Sequence, residues 1–540
     1  MFAAAAAVVL WQNTRVKVLW DLSYILEHAY RIALGDRPYH EFVMPHAPLT
    51  FVLQAAIMRV FGDGLLPHVW YCAVIAGLTA LLTYRLLLVE FGGAPWRALT
   101  LAAPVTFLNG YCILPQPFYD PDCTFFVLLA LCAIVWARRH ETAAWRHFAA
   151  GVLIVIPLFV KQNTGVAAFA AAHAFCWLSA ARNPAERRAY AFCAAGSAAA
   201  LLCAAFAIEA WTGLGPYWEW TVSYAAARRW PRAQLWLLIY GRLRTWLAIA
   251  GAVAGYLVIR NRRGSRVALV FGLALIALPL AESTRTMLRW GIGARSYVWW
   301  GLAFVAGSLA AVDDSVRARF RFEAALPLVA VAIAHGAFAS QGVFDSAYGV
   351  WPFLMIALAP LAVRLFHAVG REEHVIASAV VGFAGIVLLV LGYRHLASHE
   401  RVGFADVSGP VARATLPSLR GLATPGTYVP DFERLLRRTA DVIPARDGVV
   451  VVPGEDPFFF ASKRRPRFPV VLFDDTVTPY DRPTLMKMME ERQITWVIVK
   501  TRLQLRNGPW RPLEAFVEQD LAERYDVFDV LPRYTILRRR

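Results

Sequence analysis

The sequence predicts an all-α polytopic membrane domain, with about 13 transmembrane helices, followed by a small soluble α/β domain. Three observations predict it. First, the 540 residues are 58% hydrophobic and 17% charged, where a soluble chain has about 45–50% apolar and about 25% charged residues; mean hydropathy is +0.46. Second, the apolar excess sits in runs long enough to cross a bilayer, which takes about 20 residues as a helix, and these runs end at residue 393. Third, from residue 394 onward short β-branched runs alternate with amphipathic stretches, the pattern of a small α/β fold with a partly parallel sheet. The expected domains are therefore 1–393, with a first outer loop at 21–66, and 394–540 outside the membrane.

The first span runs from about Phe2 to Trp20 and is interrupted by Gln12, Asn13, Arg15 and Lys17. Others fall near 67–89, 98–114, 122–137, 147–160, 164–180, 189–211, 243–260, 266–283, 294–312, 324–340, 349–367 and 374–393. Short basic loops set the orientation, because Lys and Arg concentrate on the cytoplasmic side. Arg138, Arg139 and Arg146 fall on one side, together with Arg182, Arg187 and Arg188, with Arg260 to Arg266, and with Arg317 to Arg321. The N-terminus is then cytoplasmic. The 21–66, 114–121, 212–242 and 284–293 segments, Lys161 and the C-terminal domain are outside. Two outer stretches run against the rule: Arg228, Arg229 and Arg232, then Arg285, Arg289 and Arg295. They either snorkel to headgroups or hold an anionic substrate.

The formal charge of +17 lies mostly between apolar segments, so membrane lipids explain it. No nucleic-acid motif occurs. The seven cysteines lie in or beside apolar segments without CxxC spacing and read as small core residues. The C-terminal domain is expected to carry strands at Gly448–Val452, Val470–Phe473, Thr495–Val499 and Tyr534–Leu537, with helices near Asp431–Val442, Arg482–Arg492 and Pro512–Glu523. It has neither GxGxxG nor a P-loop. Lys463, Arg464, Arg465 and Arg467 read as a solvated charge run or as a contact for anionic headgroups or glycan.

The first outer segment is the most informative. Asp21 stands where the first span leaves the bilayer, and a carboxylate there is costly unless paired or functional. Tyr24, Glu27 and Arg31 follow at helical spacing, Gly35 would end that helix, and 49–61 is apolar enough to lie along the membrane surface. Asp21, Tyr24, Ala33, Gly35, Pro38, Tyr39, Glu41, Phe42, His46, Pro48, Leu49, Phe61 and Gly62 together make a pattern. It resembles the polytopic glycosyltransferases of the GT-C class, most closely the branch of protein O-mannosyltransferases and lipid A aminoarabinose transferases. The resemblance covers 1–180 by motif and the rest by architecture alone.

The resemblance implies a donor sugar on a polyprenyl phosphate, with Asp21 as the base. A positioned carboxylate can take the proton of an attacking hydroxyl; the alternative role for Asp21 is a helix N-cap. Tyr119-Asp120-Pro121-Asp122 is a second acidic site, read either as a helix start with Asp120 capping or with Asp122 or Asp120 facing Asp21. Asp122 is expected as a second catalytic carboxylate. Lys161, beside the polar break Gln162-Asn163-Thr164-Gly165, either snorkels from a loop or neutralises the leaving phosphate, and Arg285 and Arg289 suit the latter task. Tyr39, Glu41, His46, Asp120, Gln162 and Asn163 are candidate substrate contacts. Trp211, Tyr217, Trp218, Trp220, Tyr224 and Trp230 form an interfacial belt or a sugar-stacking lid. No ligand set supports a divalent metal, and no cofactor is called for.

The expected activity is inverting transfer of a hexosyl or pentosyl group from a polyprenyl-phosphate-linked sugar to a lipid, glycan or protein hydroxyl, on the outer face of a bacterial inner membrane. A transporter or flippase of lipid-linked sugars would show related halves or charges deep in several spans, and neither is evident. A non-catalytic membrane scaffold leaves the Asp21 to Gly62 pattern without a purpose.

Overall fold

The computed structural model describes all residues except 140–142, 229–232, 263–264, 292–295, 340–348, 370–373, 399–406, 476 and 505–509. The first helix, α1 (Phe2–Asn13), ends earlier than the expected Trp20. Its polar end is pinned rather than continued: Gln12 donates to the Leu396 carbonyl (3.3 Å), and Asn13 to the carbonyls of Val9 (3.0 Å) and Pro115 (2.7 Å). Val16 then bonds to the Ala423 carbonyl (2.8 Å) before a new helix begins.

That helix is α2 (Trp20–Ala33), followed by α3 (Leu49–Phe61). Both stop where a glycine with positive φ follows, Gly35 at 95° and Gly62 at 85°, a conformation that side chains other than glycine resist. The membrane body follows as α4 (Leu65–Glu90), α5 (Pro95–Ala102), α6 (Val105–Leu108), α7 (Gly110–Ile113), α8 (Tyr119–Arg138), α9 (Ala144–Val155), α10 (Gln162–Arg182) and α11 (Arg187–Trp211). After the short α12 (Leu214–Trp218), α13 (Ala225–Arg228) and α14 (Ala233–Tyr240) come α15 (Leu243–Asn261), α16 (Arg266–Trp290), α17 (Tyr297–Gly301), α18 (Ser308–Arg317), α19 (Phe322–Phe338), α20 (Trp351–Ala368) and α21 (His374–Ala397).

Eight described helices are long and apolar enough to cross a membrane: α4, α8, α10, α11 with the turn before it, α15, α16, α20 and α21. The remaining expected spans are shorter or interrupted helices. The segment at 98–114 is broken at Ala103–Pro104 and Asn109, and the one at 147–160 ends in a tighter turn, Ile156–Phe159. Small residues let the helices touch. A Cβ on Gly151 would strike the Cys193 carbonyl, and one on Gly196 would strike the Phe148 carbonyl, so α9 and α11 lie backbone to backbone.

The C-terminal residues from Val407 form a mixed sheet with helices. β1 (Val411–Arg413) and β2 (Ala423–Pro425) pair antiparallel, and α22 (Tyr428–Val442) follows. α22 buries Tyr428, Phe432, Leu435 and Leu436, which share one face at a spacing of three to four residues. Then come β3 (Gly448–Val452), α23 (Phe458–Ser462), α24 (Arg482–Glu491), β4 (Ile494–Lys500), β5 (Tyr525–Leu531) and β6 (Tyr534–Arg539). The sheet order is β3-β4-β6-β5, with β3 and β4 parallel and the other pairs antiparallel. Val470–Phe473 is not a strand. It is an extended loop whose backbone serves its neighbours, Phe473 bonding to the Pro453 carbonyl (2.7 Å) and Pro469 accepting from Val43 (3.1 Å).

The sheet and the 21–66 segment share a hydrophobic core. Tyr24, Leu26, Phe42 and Phe51 belong to the same buried cluster as Phe432, Phe458, Phe460 and Tyr534. The basic run is largely exposed, as expected, yet Lys463 and Arg465 also hold the 21–66 segment, while Arg464 binds within the C-terminal residues. Lys463 donates to the Asp63 carbonyl, Arg465 pairs with Asp36 (2.6 Å), and Arg464 binds the carbonyls of Thr439 (3.0 Å) and Pro444 (3.0 Å).

Candidate functional site

Asp21 lies in the first turn of α2, not at the end of the first membrane helix, and it is not the cap of α2. Leu19 holds the cap position, and α2 has no capping side chain of its own. Asp21 is partly exposed. Burial pushes its carboxyl from the usual 3.8 up to about 7, and the nearby charges of Asp120 and Asp474 push the same way. The charges that Asp21 feels thus come from two segments distant in sequence, the start of α8 and the loop after residue 473.

Asp120 is in the first turn of α8 and pairs with Lys161, both almost fully buried. The expected capping role for Asp120 does not hold, since Phe118 precedes the helix and Asp120 turns to the lysine. Lys161 is the extended residue at the cap position of α10 (φ −149°, ψ 115°). Gly165, one turn on, lies against the Pro157 carbonyl where no Cβ would fit, which allows the break at Lys161 to fold back so tightly.

Asp122 does not face Asp21. Its fully buried carboxylate accepts from Thr50 (2.7 Å), Tyr71 (2.8 Å) and Tyr111 (2.6 Å), tying α3, α4 and α7 to α8. Asp120 and Asp122 are two residues apart in a helix, so their side chains leave it in different directions. Asp120 meets Lys161, and Asp122 meets the three hydroxyls.

An aromatic bridge joins α2 to this pair. Tyr24 Oη lies 2.7 Å from His46 Nδ1, and the His46 ring stacks on Tyr119 (4.7 Å between centroids). Lys161 Nζ sits 5.8 Å from the Tyr119 ring centroid. Tyr39 donates to the His46 carbonyl (2.8 Å) from a left-handed backbone (φ 69°). A tyrosine held at positive φ is uncommon and costs of order 1–3 kcal/mol. Its ring meets Tyr217 of the outer aromatic loop edge-on (5.8 Å), while Trp218 is exposed. Arg229, Trp230 and Arg232 lie outside the described residues, as does Arg295.

The other expected contacts are placed elsewhere. Glu41 accepts from the Arg37 backbone (2.6 Å) and closes its own turn. Gln162 donates to the Thr221 carbonyl (3.2 Å) and Asn163 to the Gly336 carbonyl (2.6 Å), so both tie helices together. Arg285 and Arg289 are exposed at the end of α16, with Arg289 over Trp290 (5.0 Å). Among the described residues, no three His, Cys, Asp or Glu side chains gather closely enough to hold a metal ion.

Sequence reasoning missed the part played by the C-terminal domain. Asp474 follows directly on the apolar run 470–473, a visible signal. Glu27 was seen only as a helical repeat. It is buried and accepts from the backbone N–H groups of Phe459 (2.8 Å) and Phe460 (3.2 Å). Burial raises its carboxyl from 4.5 to about 8, although those two donors, Arg31 and Lys463 pull it down. Because the folded value lies above the ordinary one, folding favours the protonated form, and stability falls as pH rises from about 4.5 to about 8. Glu27→Gln keeps an acceptor for both N–H groups and removes the charge. The variant is expected to melt no lower than wild type at pH 8 and to show a flatter melting temperature over that window; a steeper one would contradict the assignment.

No protein-family model and no curated protein matches the chain. Solved structures do. The Archaeoglobus fulgidus oligosaccharyltransferase in complex with zinc and sulfate shares 13% identity over 93% of this chain and 68% of its own, with a TM-score of 0.54. Its apo form aligns at 12% identity, 93% and 69% coverage, and a TM-score of 0.52. ArnT from Cupriavidus metallidurans, bound to undecaprenyl phosphate, aligns over 99% of this chain and 97% of its own at 12% identity, with a lower TM-score of 0.47. The two oligosaccharyltransferase overlays carry the assignment: the chain is an integral membrane protein with a GT-C-like fold.

Proposed function

We propose that this protein moves a sugar from a polyprenyl-phosphate donor to an acceptor hydroxyl on the outer face of the membrane, with inversion at the anomeric carbon. The observation that carries the reading is a buried lysine, Lys161, paired with Asp120 beside the perturbed carboxylate of Asp21. The outer-loop pattern from Asp21 to Gly62 and the GT-C-like fold support it.

The acceptor oxygen attacks the anomeric carbon and forms the new glycosidic bond. Asp21 takes its proton, as a carboxylate positioned within hydrogen-bond reach can. The bond from the anomeric carbon to the phosphate oxygen breaks, and the polyprenyl phosphate leaves with the electron pair. Lys161 offers the cation that the departing phosphate needs. Before the donor binds, Asp120 neutralises that cation, which removes the cost of an unpaired charge in a dry site. The donor phosphate replaces Asp120 as the lysine's partner, and the freed carboxylate adds to the negative field that keeps Asp21 basic.

Purified protein given a panel of radiolabelled polyprenyl-phosphate sugars and an envelope acceptor fraction is expected to transfer label from one of them. Transfer from none would overturn the reading. Lys161→Met should lower the transfer rate by about 10²–10³-fold. Lys161→Arg should recover part of that loss, since the charge is kept but the ammonium's shape is not. Equal rates for wild type and Lys161→Met would remove the lysine from the mechanism.

A further inference from the structure

The turns that follow the parallel strands β3 and β4 converge on the start of α2. After β3, Glu455 and Asp456 both hold Lys500, at 3.0 and 2.9 Å, and none of the three side chains is more than 1% exposed. After β4, the fully buried Gln504 gives its backbone N–H to Glu455 Oε2 (2.9 Å). The Gln504 Oε1 accepts the backbone N–H groups of Leu19 (3.2 Å) and Trp20 (2.9 Å). Ser23, within the first turn of α2, donates to the Gly454 carbonyl (2.9 Å).

The opening N–H groups of a helix have no partner inside it and need an acceptor. Capping normally comes from a neighbouring side chain, and here Leu19 cannot supply one. The acceptor comes instead from Gln504 in the C-terminal domain. Asp21 is the next residue after the two N–H groups it holds.

We infer that Gln504 is the positioning residue for Asp21, a cap supplied by the C-terminal domain that fixes where α2 begins and so where its carboxylate points. This rests on the reading of Asp21 as the base. A base must lie within hydrogen-bond reach of its proton, and a misplacement of about 1 Å can cost about 10²-fold. The ion pair behind Gln504 makes the cap rigid: Glu455 fixes its backbone, and Lys500 fixes Glu455. Gln504 Nε2 has no hydrogen-bond partner among the described residues. Gln504→Glu therefore keeps the acceptor and forfeits no donor bond, whereas Gln504→Ala removes the acceptor.

The test uses the full-length protein in nanodiscs, with three readouts. Hydrogen exchange of the Leu19 and Trp20 amides reports the cap. Carbodiimide labelling of Asp21 against pH, read by mass spectrometry, reports its carboxyl. Transfer kinetics report the consequence. Gln504→Ala is expected to speed exchange at both amides, to lower the Asp21 labelling midpoint as water reaches the loosened turn, and to cut kcat by about 10²-fold with the donor KM unchanged. Gln504→Glu is expected to restore amide protection and most of kcat, with a labelling midpoint at or above that of wild type. Unchanged exchange in Gln504→Ala would overturn the cap. Faster exchange with an unmoved midpoint and unmoved kcat would overturn the positioning role. Absence of transfer by wild type would count against the proposed reaction, while exchange and labelling would still decide whether Gln504 governs Asp21.

Discussion

If Asp21 is the base of the proposed transfer, Asp21→Asn is expected to lower the rate by about 10²–10⁴-fold, the range general-base removal commands, and to leave the protein folded. The change is nearly isosteric, and Asp21 carries no structural hydrogen bond that an amide would break among those described. The same carboxylate sets the pH dependence. Its value is raised from 3.8 to about 7, and a base works only when ionised. The wild-type rate should therefore rise with pH through about 7 and level off above it, instead of being flat from pH 5 upward as an ordinary aspartate would make it. The check is the initial rate of label transfer from pH 5 to 9, wild type beside variant. A residual rate in Asp21→Asn that keeps the full pH limb would place the base elsewhere, with Asp120 the nearest candidate.

Asp122→Ala acts on folding instead of rate. It strips three hydroxyl donors, the buried Thr50 and Tyr111 and the partly buried Tyr71, of their common acceptor. Bonds to a charged group contribute about 1.5–3 kcal/mol each. Even with partial compensation the loss is about 3 kcal/mol or more, a large share of a stability that is typically about 5–15 kcal/mol. The expected outcome is poor recovery of monodisperse protein and a fall in melting temperature, measured by fluorescence-detected chromatography after graded heating. Asp122→Asn should be milder, because a hydroxyl can rotate to accept from the amide nitrogen. A normal melting profile for Asp122→Ala, coupled to loss of transfer, would return this residue to the catalytic set.

The contrast between these two aspartates shows what sequence patterns convey. Apolar run length is local, so the long helices could be placed within a few residues. The helix end at Gly35 was equally local, whereas the break after Asn13 that divides the expected Phe2–Trp20 span depends on distant partners. What a side chain faces is not local. Tyr119-Asp120-Pro121-Asp122 contains two carboxylates in one helical turn, and only packing against α10 on one side and α3, α4 and α7 on the other separates their duties. Val470–Phe473 has the composition of a strand, but β4 pairs with β6 instead, and this run is left to give the Phe473 N–H to Pro453 and its carbonyl to Trp510. Lys463 to Arg467 looks like a solvated run until its partners, Asp36 and Asp63, are seen to lie some four hundred residues away. The same distance hid Asp474 and Gln504, whose importance depends on where α2 lies.

The shared core of the first outer loop and the C-terminal sheet has a consequence for the protein's biosynthesis. Leu19 and Gln504 are separated by 485 residues. At about 5–20 residues per second of synthesis, Asp21 leaves the ribosome roughly 25–100 s before the residue that caps its helix. During that interval the outer loop has its apolar face but not the surface that covers it. A nascent chain that has not yet made Gln504 therefore carries α2 with the Leu19 and Trp20 amides uncapped. Under the proposed mechanism, the base is seated only after synthesis has passed that residue, so its chemistry waits on translation of the C-terminal sheet.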